Sequence, residues 1–330
     1  MVNLTTKYLG LTLKNPLIAA SSGLTDDCQK IKELEESGIG AVVVKSLFEE
    51  EIVMEMEANL NRMNSLSFVY PETMGFHEEN YTPGATDKYL DLISDCKHNV
   101  NIPIIASINC VSAKEWTYFP KQAQEAGADA IEINTFILPT DLNRNAEENE
   151  KIYFDIIKEV KKQVSIPVSL KISYYFSNLA SIIQRLSETG IGGLVLFNRF
   201  YNTDFDINKF ELTSSSVLSS PQDIHNSLRW ISIMSERVKC DLAATTGVHN
   251  GEDVVKQLLA GASAIQIAST LYKNGNSQIQ NMLNFLTKWM EEKKYASIAD
   301  FKGKMSQSKS NNPAAYERVQ FMKYFRGYEK

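Results

Sequence analysis

The sequence predicts an α/β chain folded as a (β/α)8 TIM barrel, and two observations predict it. Eight short β-branched apolar runs recur along the 330 residues, each followed by a segment with the apolar spacing of an amphipathic helix. Two of those runs end in lysine, Lys45 in AVVVKS and Lys171 in VSLKIS, at the strand ends where such a barrel opens its functional face.

Taken in order, residues 3–15 read as a short hairpin turning near Gly10 that closes the bottom of the barrel. The eight runs then span 17–20, 41–46, 103–108, 130–135, 168–173, 193–198, 241–246 and 264–269. Helix starts fall where the alternation needs them. Ser112, Ala113, Lys114 and Glu115 spell a capping box after the third run. Ser220–Pro221 offers an N-cap with proline at the first helical position, and Asn250–Gly251–Glu252–Asp253 starts a helix with acids in its first turn.

Three connections on the functional face are longer than closure requires: 47–83, 136–145 and 199–219, after strands two, four and six. Loops of such length usually serve as lids or walls. The barrel is expected over 1–305 and a C-terminal helical extension over 306–330, packed on the barrel or on a partner; residues 313–328 in particular have helical spacing and several aromatics.

A net charge of −6 argues against a nucleic-acid partner. No apolar run approaches the ~20 residues of a membrane span, and the N-terminus lacks a signal-peptide core. Cys28, Cys96, Cys110 and Cys240 are scattered without metal-ligand spacing, so no metal centre is expected and a reduced, cytoplasmic setting is.

Three constellations carry chemistry. Strands seven and eight close on Thr245–Thr246–Gly247–Val248 and Ala268–Ser269–Thr270, small and hydroxylated residues that let a phosphate approach the main chain. Lys45 and Lys171 end apolar strands, where an ammonium must find a partner or lose its charge. Either balances an anionic flavin edge, forms a Schiff base, or pairs with a rim carboxylate such as Glu132. Asn109, Asn134 and Asn198, with Ser21–Ser22–Gly23, supply the donors and acceptors that hold a flat heterocycle.

These pieces resemble the dihydroorotate dehydrogenase family, nearer its soluble class 1 than its membrane-associated class 2. The resemblance spans roughly 3–305. It is carried by Asn15–Pro16 with Ala20–Ser21–Ser22–Gly23, VVVKS, PIIASI, EIN at Asn134, LKI at Lys171, LFN at Asn198 and TTGVHNGEDVVKQLLAGASAIQIASTL. It implies a homodimeric, FMN-dependent oxidoreductase of pyrimidine biosynthesis that acts on a small-molecule substrate. Carried over, Ala20 and Ser21 line the flavin, Lys45 and Ser46 flank its reactive edge, and Asn134 touches flavin and substrate. Lys171 lies near N1 and O2, Asn198 joins the ring site, and Gly247–Val248 with Ala268–Ser269 take the phosphate.

The substrate side departs from the family. Its base, a serine or cysteine three residues after the strand-four asparagine, falls on Ile137, and a further substrate asparagine falls on Pro139. The family's Asn–Ser–Met–Gly after strand two reads Glu72–Thr73–Met74–Gly75, with a carboxylate where an amide is expected and Arg199 or a lysine as its possible compensation. Tyr174, Tyr175, Cys110 and His77 are the replacement bases within reach of the barrel mouth. The expected substrate contacts are Lys45, Glu72, Met74, Gly75, Asn134 and Asn198. The expected activity is hydride transfer to flavin N5 from dihydroorotate or another unsaturated ring. The alternative is an FMN-binding electron-relay or interaction subunit. A Schiff-base lyase is the outsider, and the electron acceptor stays open among fumarate, nicotinamide and a partner protein.

Overall fold

Leu9 and Gly10 both take positive φ, 56° and 75°, and join strands β1 (Thr6–Tyr8) and β2 (Leu11–Leu13) through a two-residue turn. The computed structural model describes residues 2–66, 84–113, 115–199, 203–214 and 216–317, the side chains of 59–66 and 115 excepted. Tyr8, Leu9 and Leu13 are buried with Ile18, Ala41, Ile105, Ala130, Val195, Ala243 and Ala264 in one apolar cluster at the base of the barrel. The Leu9 N–H donates to Asp241 Oδ2, which anchors the hairpin to a barrel strand. Gly193 makes room for it, because a Cβ there would lie 2.8 Å from Leu9 Cδ2.

Eight parallel strands close above this base in the order β3 (Leu17–Ala19), β4 (Ala41–Val43), β6 (Ile104–Cys110), β7 (Ala130–Thr135), β8 (Val168–Ile172), β9 (Gly193–Leu196), β12 (Asp241–Thr245) and β13 (Ala264–Ile267). The β13–β3 and β4–β6 pairings complete the ring. All eight expected strands are present, with ends shifted by a residue or two.

The second strand is the informative exception. It runs as β4, breaks over Val44–Ser46, and resumes as β5 (Leu47–Phe48), paired with β6. The break has a cause: the Lys45 N–H donates to Thr25 O and the Ser46 N–H to Ser21 Oγ, so both turn towards the loop after strand one.

The connecting helices bury one stripe each. Asn145 and Glu148 form a capping box for the helix Ala146–Gln163, which lays Tyr153, Ile156, Ile157 and Val160 on the sheet at the spacing of a single helix face. Asn250 and Asp253 do the same for the helix Gly251–Ala260. Ser220 caps a short turn with Pro221 at its first position, as its sequence implies.

The capping box expected at Ser112 turns on the Glu115 side chain, which lies outside the described set; the partner described for Ser112 comes from another segment. The Ser112 N–H and hydroxyl both donate to the Glu49 carboxylate, and a 3-10 turn, Glu115–Tyr118, precedes the helix Phe119–Glu125. The same carboxylate accepts Val111 N–H as well, at 2.7 Å.

Of the long connections, 47–83 is not an open loop. It begins with β5 and continues as the helix Glu49–Leu66, whose first residue is that Glu49. Glu72, Met74, Gly75 and His77 lie outside the described residues. The connection 199–219 carries a two-stranded hairpin, β10 (Thr203–Asp206) with β11 (Glu211–Ser214), that exposes Phe205, Ile207, Phe210 and Leu212. In the tail a helical turn, Ala314–Glu317, rests on the barrel through the Tyr316 hydroxyl, which donates to Met305 O at 2.8 Å. Residues 318–330 lie outside the described set.

Leu13 is fully buried where the hairpin meets the base of the barrel. Leu13→Ala is expected to cost about 2–5 kcal/mol, read as a lower denaturation midpoint with an unchanged denaturant slope.

Candidate active site

Side chains alternate along each barrel strand, so every second residue points into the lumen. On β7 this places Glu132 and Asn134 inside, one above the other; on β8 Ser169 and Lys171; on β6 Ser107 and Asn109. At the C-terminal mouth these strands open onto a cavity of about 560 Å³, within the usual range for a small-molecule site. One wall comes from Ala20, Ser21, Ser22 and Gly23 after β3 with Lys45 and Ser46 from the break in the second strand. Asn134, Lys171, Asn198 and Gln266 contribute from the strands, and Thr246, Gly247, Val248, Ala268 and Ser269 form the far end. The structure thus brings together every cofactor position that the resemblance implied.

Electrostatics give the cavity a sign. Lys45, Lys171 and Arg199 line it, and no carboxylate does among the described residues. Lys45 is half-exposed, with Nζ 3.9 Å from Asp26 Oδ2, and stays available to an anion. Arg199 is held by Val217 O at 2.8 Å and Ser216, with Asp223 at 3.8 Å.

Lys171 is deeper. Its Nζ donates to Gln266 Oε1 at 3.2 Å and lies 4.0 Å from Glu132 Oε1, while Gln266 Nε2 donates to Glu132 Oε2. Glu132, expected at the rim, is therefore fully enclosed beneath the cavity floor. Burial pushes its carboxyl above the usual range, against the pull of Lys171, and the same burial pulls the Lys171 ammonium down, against Glu132. Gln266 had escaped the sequence reading although the pattern AIQIA, with period two, puts it inside between Ala264 and Ala268.

The remaining polar groups form two further sets. Ser21 Oγ meets Ser46 Oγ at 3.0 Å, and Ser46 Oγ meets Ser107 Oγ at 2.7 Å, a run of hydroxyls from the wall into the lumen. Asn198 Nδ2 donates to Asn134 Oδ1, so the two amides fix each other's orientation.

At the far end Gly247 takes φ +80°, and a Cβ there would fall 2.0 Å from Ile224 N. Only glycine lets this loop lie against the chain that leads into the helix Ile224–Met234. Ser219 ties the end together: its N–H donates to Ser269 Oγ at 3.0 Å, its hydroxyl meets His249 Nε2 at 3.2 Å, and its carbonyl accepts Lys273 Nζ at 2.6 Å. Main-chain N–H groups, a neighbouring lysine and a cavity without carboxylates are the donor set that a phosphate requires.

The acid–base candidates are placed differently. Ile137 is buried outside the cavity beside Pro139, Tyr153 and Tyr175, so the family's base position does not face the mouth. Cys110 points to the helical layer, Sγ 4.0 Å from Thr135 Oγ1, and burial raises its thiol far above the neutral range; it is withdrawn as a base. Tyr174 and Tyr175, ring centroids 4.7 Å apart, line a smaller chamber that shares Phe197, Asn198 and Arg199 with the main cavity. The Tyr174 hydroxyl is raised by its hydrogen bond with Tyr175 and by burial, which opposes service as a base.

The barrel and its mouth define a small-molecule enzyme of the α/β class, and the sequence matches say which kind. Residues 3–290 match the family described as Dihydroorotate dehydrogenase, and the chain belongs to that family. It is accordingly an oxidoreductase of the dihydroorotate dehydrogenase type. It is similar to proteins named dihydroorotate dehydrogenase B (NAD(+)), catalytic subunit. The one from Thermoplasma volcanium is 26% identical over 314 residues, covering 92% of this chain and 98% of the relative. That from Methanocaldococcus jannaschii is 27% identical over 303 residues, covering 88% and 94%.

His249 supplies a check on the far end of the site. Burial and the Lys273 ammonium hold its imidazole below the ordinary value, with Asp253 opposing. A depressed folded pKa contributes stability that is present above about pH 6.5, the unfolded value, and is lost as pH falls through the folded one. Between pH 7.5 and 5 the Tm of the native protein should fall further than that of His249→Gln.

Proposed function

We propose that the chain binds FMN in the barrel mouth and moves hydride between the bound ring and a ring carbon of a small unsaturated substrate. Dihydroorotate is the substrate that family membership suggests; another heterocycle or an enone is favoured by the departures at Glu72, Ile137 and Pro139. The observation that carries the proposal is the convergence of Ala20, Ser21, Lys45, Ser46, Asn134, Lys171, Asn198, Gly247, Val248, Ala268 and Ser269 on one cationic cavity.

Bound FMN supplies a hydride acceptor that no side chain offers. The chain's own residues bind and orient. Gly247, Val248, Ala268 and Ser269 would hold the phosphate through the main chain, and Lys171 would face the ring edge at N1 and O2. Lys45, whose half-exposed ammonium lies 3.9 Å from Asp26, and Asn134, locked by Asn198, would place the substrate. Without a side-chain base at Ile137, a proton leaving the substrate would pass to water, directly or relayed along the Ser21–Ser46–Ser107 hydroxyls.

Partners belong to the same proposal. The relatives are named catalytic subunits, which supports assembly with a second kind of subunit and NAD(+) as the distant acceptor. The exposed apolar hairpin around Phe210 offers a surface for that assembly or for a homodimer. Among the described residues the four cysteines are unpaired and no helix is long and apolar enough to cross a membrane, which supports a cytoplasmic setting. A second reading, an FMN-binding electron-relay subunit without dehydrogenase chemistry, draws on the position of Ile137 outside the cavity.

The test is the visible absorbance spectrum of the purified protein, followed by anaerobic addition of dihydroorotate. The expected result is bound flavin that dihydroorotate bleaches at least about 10²-fold more slowly than it bleaches a relative with an intact base. Absence of flavin after reconstitution would sink the proposal. Fast bleaching would show that a base has been replaced, and no bleaching by any ring substrate, with reoxidation only by a partner protein, would establish the relay.

A further inference from the structure

Glu132 is left without a task by the reading above. It projects from β7 into the lumen two residues before Asn134 and is 1% exposed. Its Oε2 accepts Gln266 Nε2, but its Oε1 has no hydrogen-bond partner among the described residues. The nearest cation, Lys171 Nζ, is 4.0 Å from that oxygen, beyond hydrogen-bond distance, and spends a proton on Gln266 Oε1 instead. The pair is therefore an incomplete ion pair in a dry place, with one carboxylate oxygen open to a proton.

The groups around it come from every neighbouring element. Ser107 of β6 and Ser169 of β8 flank Glu132 in register. Tyr8 of the bottom hairpin and Tyr89 of the helix Ala85–Asn99 lie within its field, and both hydroxyls are raised chiefly by burial and further by its charge. Asp241 adds to the field at Tyr8. Lys171 is the one cation acting on Glu132 among the described residues. Burial works in opposite directions on the two partners, up for the carboxyl and down for the ammonium, so their proton affinities approach each other.

We propose that Glu132 and Lys171 form a proton-accepting pair that takes up one proton when the ring bound above Lys171 is reduced. The inference rests on the FMN reading of the same cavity. Dehydrogenating a CH–CH group releases one hydride, which carries both electrons to the ring, and one proton, which leaves to solvent. A ring held in the cavity would, once reduced, carry one negative charge that Lys171, which lines that cavity, would meet. Lys171 Nζ passes a proton to Glu132 Oε1 and regains one from the cavity, which its side chain lines. The summed charge of ring and pair is the same before and after, and Glu132 acts through Lys171 as a positioning residue for charge.

The experiment is the midpoint potential of bound FMN against pH, from about pH 6 to 9, in the native protein and in Glu132→Gln. Reduction to an anionic ring consumes one proton per two electrons, and the pair adds a second. The native potential should fall twice as steeply with pH as that of Glu132→Gln. Equal slopes in two loaded proteins would overturn the inference and leave the FMN reading intact. Failure of the native protein to bind FMN would overturn both. If the variant does not load, the reduced-minus-oxidised infrared spectrum of the native protein decides. A new carbonyl band of a protonated carboxylic acid supports the pair, and its absence overturns it.

Discussion

A closed ring of eight short strands has a narrow inside, and the alternation of side chains decides what fills it. Everything functional in this chain depends on that constraint. At the base the inward residues are apolar and are capped by Tyr8, Leu9 and Leu13. One layer higher they turn polar, with Ser107, Glu132, Ser169 and Gln266 almost wholly removed from solvent. At the mouth they become Asn109, Asn134 and Lys171, which line the cavity. Burying the Glu132 carboxylate in the middle layer, beneath the Lys171 ammonium, is expensive unless the two compensate one another. The pair sits at the cavity floor.

Much of this was legible in the sequence, for reasons that differ by element. The strands showed as β-branched runs because a barrel strand is buried on both faces, and the helices as stripes because only one face is covered. The helix start at Asn250 was readable because its first-turn acids, Glu252 and Asp253, are adjacent in sequence. The bond from Ser112 to Glu49 was not readable, because the two are more than sixty residues apart in sequence and Glu49 heads a helix in a long connection. The break at Val44–Ser46 was equally invisible, since AVVVKS has uniform strand character and only Thr25 and Ser21 from another loop draw its N–H groups away. The exposed hairpin 203–214 gave no core signal because it contributes nothing to the core.

The site divides along the same line. The end lined by Gly247, Val248, Ala268 and Ser269 is made of strand termini and a glycine whose φ of +80° leaves little choice of residue, so it could be read from local patterns. The connection that carries Ile137 is a loop, where local patterns say less. Ile137 faces Tyr153 and Tyr175 rather than the cavity, so the chain has not merely swapped one reactive group for an inert one. The paired amides Asn134 and Asn198, by contrast, stay at the mouth. Under the proposed function, recognition of a planar ring and removal of its proton would be separable in this architecture.

The hairpin at the base has a consequence for how the molecule exchanges matter with its surroundings. With Tyr8, Leu9 and Leu13 stoppering the lower end, the lumen is a vessel with a single neck. Whatever rests in that neck becomes its cork. Below it the lumen is filled by side chains, Ser107, Glu132, Ser169 and Gln266 among them, so whatever enters and whatever leaves must share that one opening.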